Sequence, residues 1–389
     1  MTWWISRHVS DLMNLVTSTV TLGNEPLTIE QVVHIARSAP PGADYLGEPV
    51  RVEVSEAAWG RVRHTRGVID ALADDSVAHY GISTGFGALA NTSIPPEKRT
   101  QLQRSLIRSH AAGSGAEVER EVVRALMLLR IQTLATGRTG IREETLRAYV
   151  AMLNAGITPV VREYGSLGCS GDLAPLSHCA LALMGEGWVR DASGELLAAG
   201  DALATAGITP VELREKEGLA LINGTDGMLG MLCMAIADLR ALVTTADIAA
   251  AMSVEGLLGT DDAFAADLQA LRPQPGQVLS ASNMRKVLSA SGIRDSHRDP
   301  SACTRVQDAY SLRCAPQVAG AVRDTIDHAA RVAVWELASA VDNPVVTLDD
   351  RVESNGNFHG APVAYVLDFL AIAAADLASM SERRTDRFL

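Results

Sequence analysis

The sequence predicts a mostly α protein: a bundle of long central helices preceded by an α+β, loop-rich N-terminal region. Three observations carry that expectation. Aromatic residues make up only 4% of the 389 residues, alanine is abundant, and three long windows are apolar on more than one face. Small side chains suit close-packed helices, whereas sandwich cores draw on aromatic and β-branched residues. A helix that is apolar nearly all round belongs at the centre of a fold.

Taken in order, short extended pieces are expected at Thr17–Leu22 and Val50–Val54. Helices follow at Glu97–Ala112 behind Pro95-Pro96, at Glu117–Thr136 before Gly137, and at Glu143–Asn154 before Gly156. Proline at a start and glycine at a stop are the punctuation that helices use. Leu173–Met184 ends at Gly185, and Trp188–Arg190 pairs with Glu195–Leu197 across the turn at Asp191–Gly194. Gly227–Met252, Gln317–Val341 and Ala361–Arg384 are the long central helices. A division into residues 1–215 and 216–389 separates the loop-rich region from the bundle. Beyond Arg384 no glycine, proline or polar tail stops the last helix, so the sequence reads as cut, not finished.

Lys and Arg total 34 against 46 Asp and Glu, a net charge of −12 that disfavours nucleic acid and anionic membranes as partners. The charge-free apolar stretch between Asp226 and Asp238 is too short to span a bilayer, and no targeting segment is legible at Met1–Arg7. Cys169, Cys179, Cys233, Cys303 and Cys314 form no C-x-x-C pair. An odd, scattered set points to a reducing, cytoplasmic setting without disulfides or a metal framework.

The chemistry concentrates in Glu163–His178, where Gly165, Gly168 and Gly171 loosen the backbone around Cys169-Ser170. Asp172 is expected to cap the helix that follows, with Pro175 in its first turn. That would set the loop at the positive end of a helix. A serine elbow fails because Asp172 occupies the last glycine position, and a Cys169 nucleophile would need a base such as His178. A different chemistry fits the residue types. The Gly171 nitrogen can close onto the Cys169 carbonyl, and loss of water from Ser170 then leaves a dehydroalanine. Glycine supplies the unhindered nitrogen and serine the β-leaving group.

The stretch resembles the motif of the aromatic amino-acid ammonia-lyase family, whose members build 4-methylidene-imidazole-5-one (MIO) from such a triplet. Tyr80–Gly87, Ser109–Gly113, Asn223–Thr225, Gln307–Gln317, Asp342–Pro344 and Gly356–Gly360 resemble further family blocks in family order. The Ser109-His110 pair is similar to that of the histidine-specific members.

The resemblance implies that Cys169, Ser170 and Gly171 become MIO, with the Cys169 thiol a spectator, so that no diffusible cofactor and no metal is needed. It implies Tyr80 as the base that removes the substrate β-proton, although a free phenol ordinarily ionises near about pH 10. His110 would recognise the imidazole of L-histidine, and Arg313 would clamp its carboxylate. Asn223 and Tyr310 would flank the triplet and assist ring formation, while Gln307 and Phe358 would be further contacts to the substrate. The reaction would release ammonia and urocanate in a cytoplasmic homotetramer with shared active sites. The resemblance also implies that relatives continue beyond Leu389 with a glutamate at the active site. Two alternatives stand beside it: a phenylalanine or tyrosine lyase or aminomutase, and a helical assembly protein that keeps the scaffold without catalysis.

Overall fold

The computed structural model describes residues 19–38, 50–75, 77–166, 169–299, 301–303 and 305–389. Two compact units divide the chain. The first comprises Met1–Cys233 with Ala333–Val363, and the second Met234–Val332 with Ala364–Leu389. Most of the described chain is helical, as the composition predicts.

In the first unit, the helix Arg120–Ala135 is the axis of the core: every residue from Val122 to Ala135 is buried. Two of these are arginines, and both are satisfied internally. Arg124 donates to the carbonyls of Ile35, Ala36 and Leu153. Arg130 pairs with Asp226 and donates to the carbonyl of Ala220 at 3.1 Å. Breaking a buried pair of this kind leaves an uncompensated charge, at a cost of about 3–5 kcal/mol. The helix Glu143–Asn154 starts with Glu143 and Glu144, which favour the positive end of the helix dipole, and the chain turns at Gly156 with φ +71°.

Among the described residues, four small sheets decorate this unit. Thr19–Leu22 runs parallel to Arg51–Val54 in the register Thr19 to Arg51, and Trp188–Arg190 is the centre of an antiparallel trio with Thr158–Pro159 and Leu196–Ala198. Thr17 and Ser18, which the sequence places in the first of these strands, lie outside the described residues. Val345–Val346 pairs with Val352–Glu353.

The helix expected from Glu117 begins instead at Arg120. Ser114–Glu117 is a strand against Arg162–Tyr164, and the Val118 N–H donates to the Val161 carbonyl at 3.0 Å. A partner some 45 residues away claims those backbone groups before a helix can. The expected helix Gln317–Val341 runs from Ala315 to Leu337, and Glu97–Ala112 runs from Pro96 to His110.

In the second unit, Ala250, Ala251, Val254, Phe264, Ala281, Met284, Leu288, Leu312 and Ala315 form one apolar cluster. The helices Pro275–Val287 and Ala315–Leu337 approach so closely at Gly276 and Gly320 that a Cβ on either would strike the other backbone. The helical stretches Glu217–Gly256 and Ala361–Asp386 are long and apolar enough to cross a membrane by length and composition, which a search for charge-free runs overlooks. The first, however, carries Asp247, whose carboxylate is buried and held by Arg323 at 2.5 Å and Asn283 at 2.8 Å.

Candidate active site

The loop ahead of the helix Leu173–Leu183 presents Cys169 to solvent and turns Ser170 and Gly171 inward, with Ser170 only 4% exposed. Leu167 and Gly168 lie outside the described residues. The Ser170 hydroxyl donates to the Asn223 side-chain oxygen at 2.8 Å. Asn223 in turn donates its amide to the Asn343 carbonyl at 3.1 Å, which fixes which end of the amide faces Ser170. Asn343 is itself held, its side-chain oxygen accepting the Asn355 N–H at 2.9 Å.

Gly171 is a requirement of this geometry. Its φ is +21°, and a Cβ at that position would collide with the Met228 sulfur. Among the described residues its N–H has no hydrogen-bond partner. On the other side of the triplet, the Gly360 N–H donates to the Cys169 carbonyl at 3.0 Å.

Asp172 corrects a sequence expectation. It precedes the helix Leu173–Leu183 but makes no side-chain cap there. Its carboxylate instead accepts the N–H groups of Gly227 at 2.8 Å and Met228 at 3.0 Å, capping the first turn of the helix Asp226–Gly256. Burial pushes its carboxyl up to about 7. A cysteine–histidine nucleophile also loses its support, because His178 accepts the Gly113 N–H on Nε2 at 3.1 Å. Burial and nearby Arg162 hold the His178 ring below its usual range, consistent with a neutral acceptor.

Elsewhere in the same unit, Tyr80 lies half-buried in a tight turn whose N–H groups at Ile82, Ser83 and Thr84 converge on the His79 carbonyl. Its ring meets Phe86 edge-on at 6.4 Å. His110 is the last residue of its helix, with Nδ1 at 3.0 Å from the Leu106 carbonyl and 2.9 Å from the Ser109 hydroxyl. A carbonyl can only accept, so this contact places a proton on Nδ1 and leaves Nε2 as the ring nitrogen turned to other partners. Phe358 is half-buried between Asn357 and His359.

Gln307, Tyr310 and Arg313 belong to the second unit. Tyr310 is 70% exposed, and the Arg313 guanidinium lies over its ring at 4.5 Å from the centre. Arg313 donates its Nε to the Asp308 carbonyl at 2.9 Å, and no carboxylate among the described residues pairs with it. Gln307 is exposed.

The structure thus brings Cys169, Ser170, Gly171 and Asn223 together, and separately Tyr310 with Arg313. Tyr80, His110, Gln307 and Phe358 make no hydrogen bond to either group among the described residues. Three residues that shape the triplet's surroundings, Met228, Asn343 and Gly360, were without a role in the sequence reading; the last two lie inside the blocks already noted as distinctive. No group of three or more His, Cys, Asp or Glu side chains among the described residues could hold a metal ion.

Known proteins share this architecture. Residues 27–389 match the family model described as aromatic amino acid lyase. The chain is 62% identical to a histidine ammonia-lyase of Streptomyces griseus over 371 residues, covering 95% of this chain and 70% of that protein. Among solved structures, histidine ammonia-lyase from Trypanosoma cruzi superposes with a TM-score of 0.81 at 37% identity, over 95% of this chain and 66% of that one. Tyrosine aminomutase from Streptomyces globisporus superposes with a TM-score of 0.84 at 36% identity, over 95% and 71%. The chain belongs to the aromatic amino acid lyase family.

Proposed function

We infer that the chain is a histidine ammonia-lyase, eliminating ammonia from L-histidine without oxidation to give urocanate. High identity to relatives of that name supports the substrate, and family membership supports the reaction class. One observation carries the chemistry. A buried serine hydroxyl is held by Asn223 beside a glycine at φ +21°, where a Cβ would meet the Met228 sulfur.

Cys169, Ser170 and Gly171 fit the family's self-made MIO: Gly171 is the unhindered nitrogen, Ser170 holds the leaving hydroxyl, and the exposed Cys169 side chain stays outside the bond changes. Once formed, that group supplies an electrophilic carbon for the substrate amine. The remaining work falls to side chains. Tyr80 takes the β-proton, and Arg313 offers its Nη donors, unpaired among the described residues, to the carboxylate, a match for a planar fork. With Nδ1 committed to Leu106, His110 presents Nε2 as an acceptor for the substrate imidazole N–H. Asn223 and Tyr310 position the reacting groups, and Gln307 and Phe358 bound the substrate.

His110 is what favours histidine over a phenylalanine substrate, since an apolar ring gives a ring nitrogen no partner and leaves it unpaired. A catalytically silent scaffold protein would need no such set. We also propose a cytoplasmic homotetramer with shared sites, in which residues 1–215 bring the electrophile. Exposed apolar side chains such as Met252, Trp335, Tyr365 and Ile372 on the long helices support burial against further subunits.

The test is mass spectrometry of the Glu163–His178 peptide from the purified protein beside a urocanate assay. Loss of two waters together with urocanate from L-histidine is expected. An unmodified triplet in folded protein, or cinnamate or coumarate as the product, would overturn this reading.

A further inference from the structure

Ring closure needs more than a free nitrogen, because an amide carbonyl is a poor electrophile. We propose that the backbone N–H of Gly360 is the oxyanion donor for closure of the ring, acting on the Cys169 carbonyl. The inference rests on the triplet's conversion to MIO and adds a group to it that lies outside the triplet.

The geometry is direct. Gly360 N–H donates to the Cys169 carbonyl oxygen at 3.0 Å, and this is the carbonyl that the Gly171 nitrogen must attack. When the N–C bond forms, the C=O π pair moves onto that oxygen, and the Gly171 N–H proton passes to water. The oxygen, protonated from water, then leaves with the Ser170 N–H proton as one water, and a C=N bond remains between Cys169 and Ser170. The second water is the Ser170 hydroxyl with its α-proton. A donor aimed at the oxygen stabilises the charge of the first step and assists departure in the second. Gly360 also directly precedes the helix Ala361–Asp386, whose first-turn N–H groups add positive potential on the same side.

The surroundings hold this donor in place. A Cβ on Gly360 would come within 2.8 Å of the Met228 sulfur and 3.5 Å of the Gly171 Cα, so a side chain there would have to displace the Met228 tip. The loop is braced from within: Asn355 donates its backbone N–H to Asn343, Asn357 donates to the Asn355 side chain at 2.9 Å, and His359 N–H reaches the Gly356 carbonyl at 3.1 Å. Asn343 also receives Asn223, which holds Ser170. One brace therefore sets the donor for the leaving carbonyl oxygen and the acceptor for the serine hydroxyl.

The experiment removes the N–H alone by placing glycolate at position 360, an amide-to-ester change, and follows water loss from the Glu163–His178 peptide by mass spectrometry after synthesis. The unaltered chain is measured alongside. Ring closure slowed on the order of 10²-fold, with helicity by circular dichroism unchanged, is expected. Equal rates in the two chains would overturn the role of Gly360 while leaving the MIO reading intact. No water loss in the unaltered chain would instead overturn that reading. A second pair covers poor folding of the ester: Gly360→Ala/Met228→Ala keeps the N–H and makes room for the Cβ, whereas Gly360→Pro/Met228→Ala lacks the N–H. Closure in the first and not the second is expected, and closure in both refutes the donor.

Discussion

Lys216 and Asp342 form an ion pair with both side chains fully buried and the nitrogen 2.6 Å from the carboxylate. Burial drives the Lys216 ammonium down and the Asp342 carboxyl up from their usual ranges, each opposed by the partner's charge. Lys216→Met keeps the length of the side chain and removes the charge, leaving the Asp342 carboxylate, among the described residues, with only the Asn343 N–H at 2.7 Å. A buried carboxylate stripped of its partner costs about 3–5 kcal/mol, roughly a 10²- to 10⁴-fold fall in the folded-to-unfolded ratio. Lys216→Met/Asp342→Asn keeps the oxygen that accepts from Asn343 and loses the charge, so it should retain only the cost of an unmet amide N–H, about 1–3 kcal/mol. The assay is urea unfolding followed by circular dichroism, with both singles and the double closing a cycle. A loss below about 1 kcal/mol in Lys216→Met, or a double whose cost equals the sum of the singles, would refute the argument.

Three further expectations follow from the same geometry. Because the folded Asp172 carboxyl sits at about 7, above its unfolded value, the folded chain binds the extra proton between the two values, and the contribution falls as pH rises through 7. The stability gap between the native chain and Asp172→Asn should therefore narrow from pH 5 to pH 8, by up to about 3 kcal/mol, measured by unfolding at each pH; a constant gap would sink the assignment. Arg313→Lys replaces a planar fork by a point charge and should lower kcat/KM for L-histidine about 10²-fold, with water loss at the triplet unaffected. His110→Phe should cost a similar factor for L-histidine while costing L-phenylalanine less, read as the ratio of kcat/KM values.

What the sequence discloses and what it hides divide along physical lines. Glu143–Asn154 is legible to the residue because its acidic first turn and its closing glycine are local signals. Ser170 and Gly171 stand out in sequence by their residue types, and the structure sets them beside Asn223 and Met228. Ser114–Glu117 is not, since its strand character comes from Arg162–Tyr164. Asp172 misleads for the same reason: its position suits a local cap, yet two N–H groups at Gly227 and Met228 capture it. Asn343 and Gly360 fall inside distinctive sequence blocks, yet they act partly or wholly through backbone groups, whose aim no residue type records. Only a folded chain reveals where a carbonyl or an N–H is aimed.

The Met228 sulfur sits where Gly171 and Gly360 both leave no room for a Cβ. Three segments widely separated in sequence thus share one small volume, and bulk added at either glycine has to be met by movement of the Met228 side chain. Sequence drift at this spot is therefore coupled: bulk gained at 360 is taken up by the tip of Met228 or by a smaller residue there, while the backbone at φ +21° holds position 171 to glycine. Homologues that carry a larger residue at 360 should therefore more often carry a smaller one at 228, with glycine kept at 171.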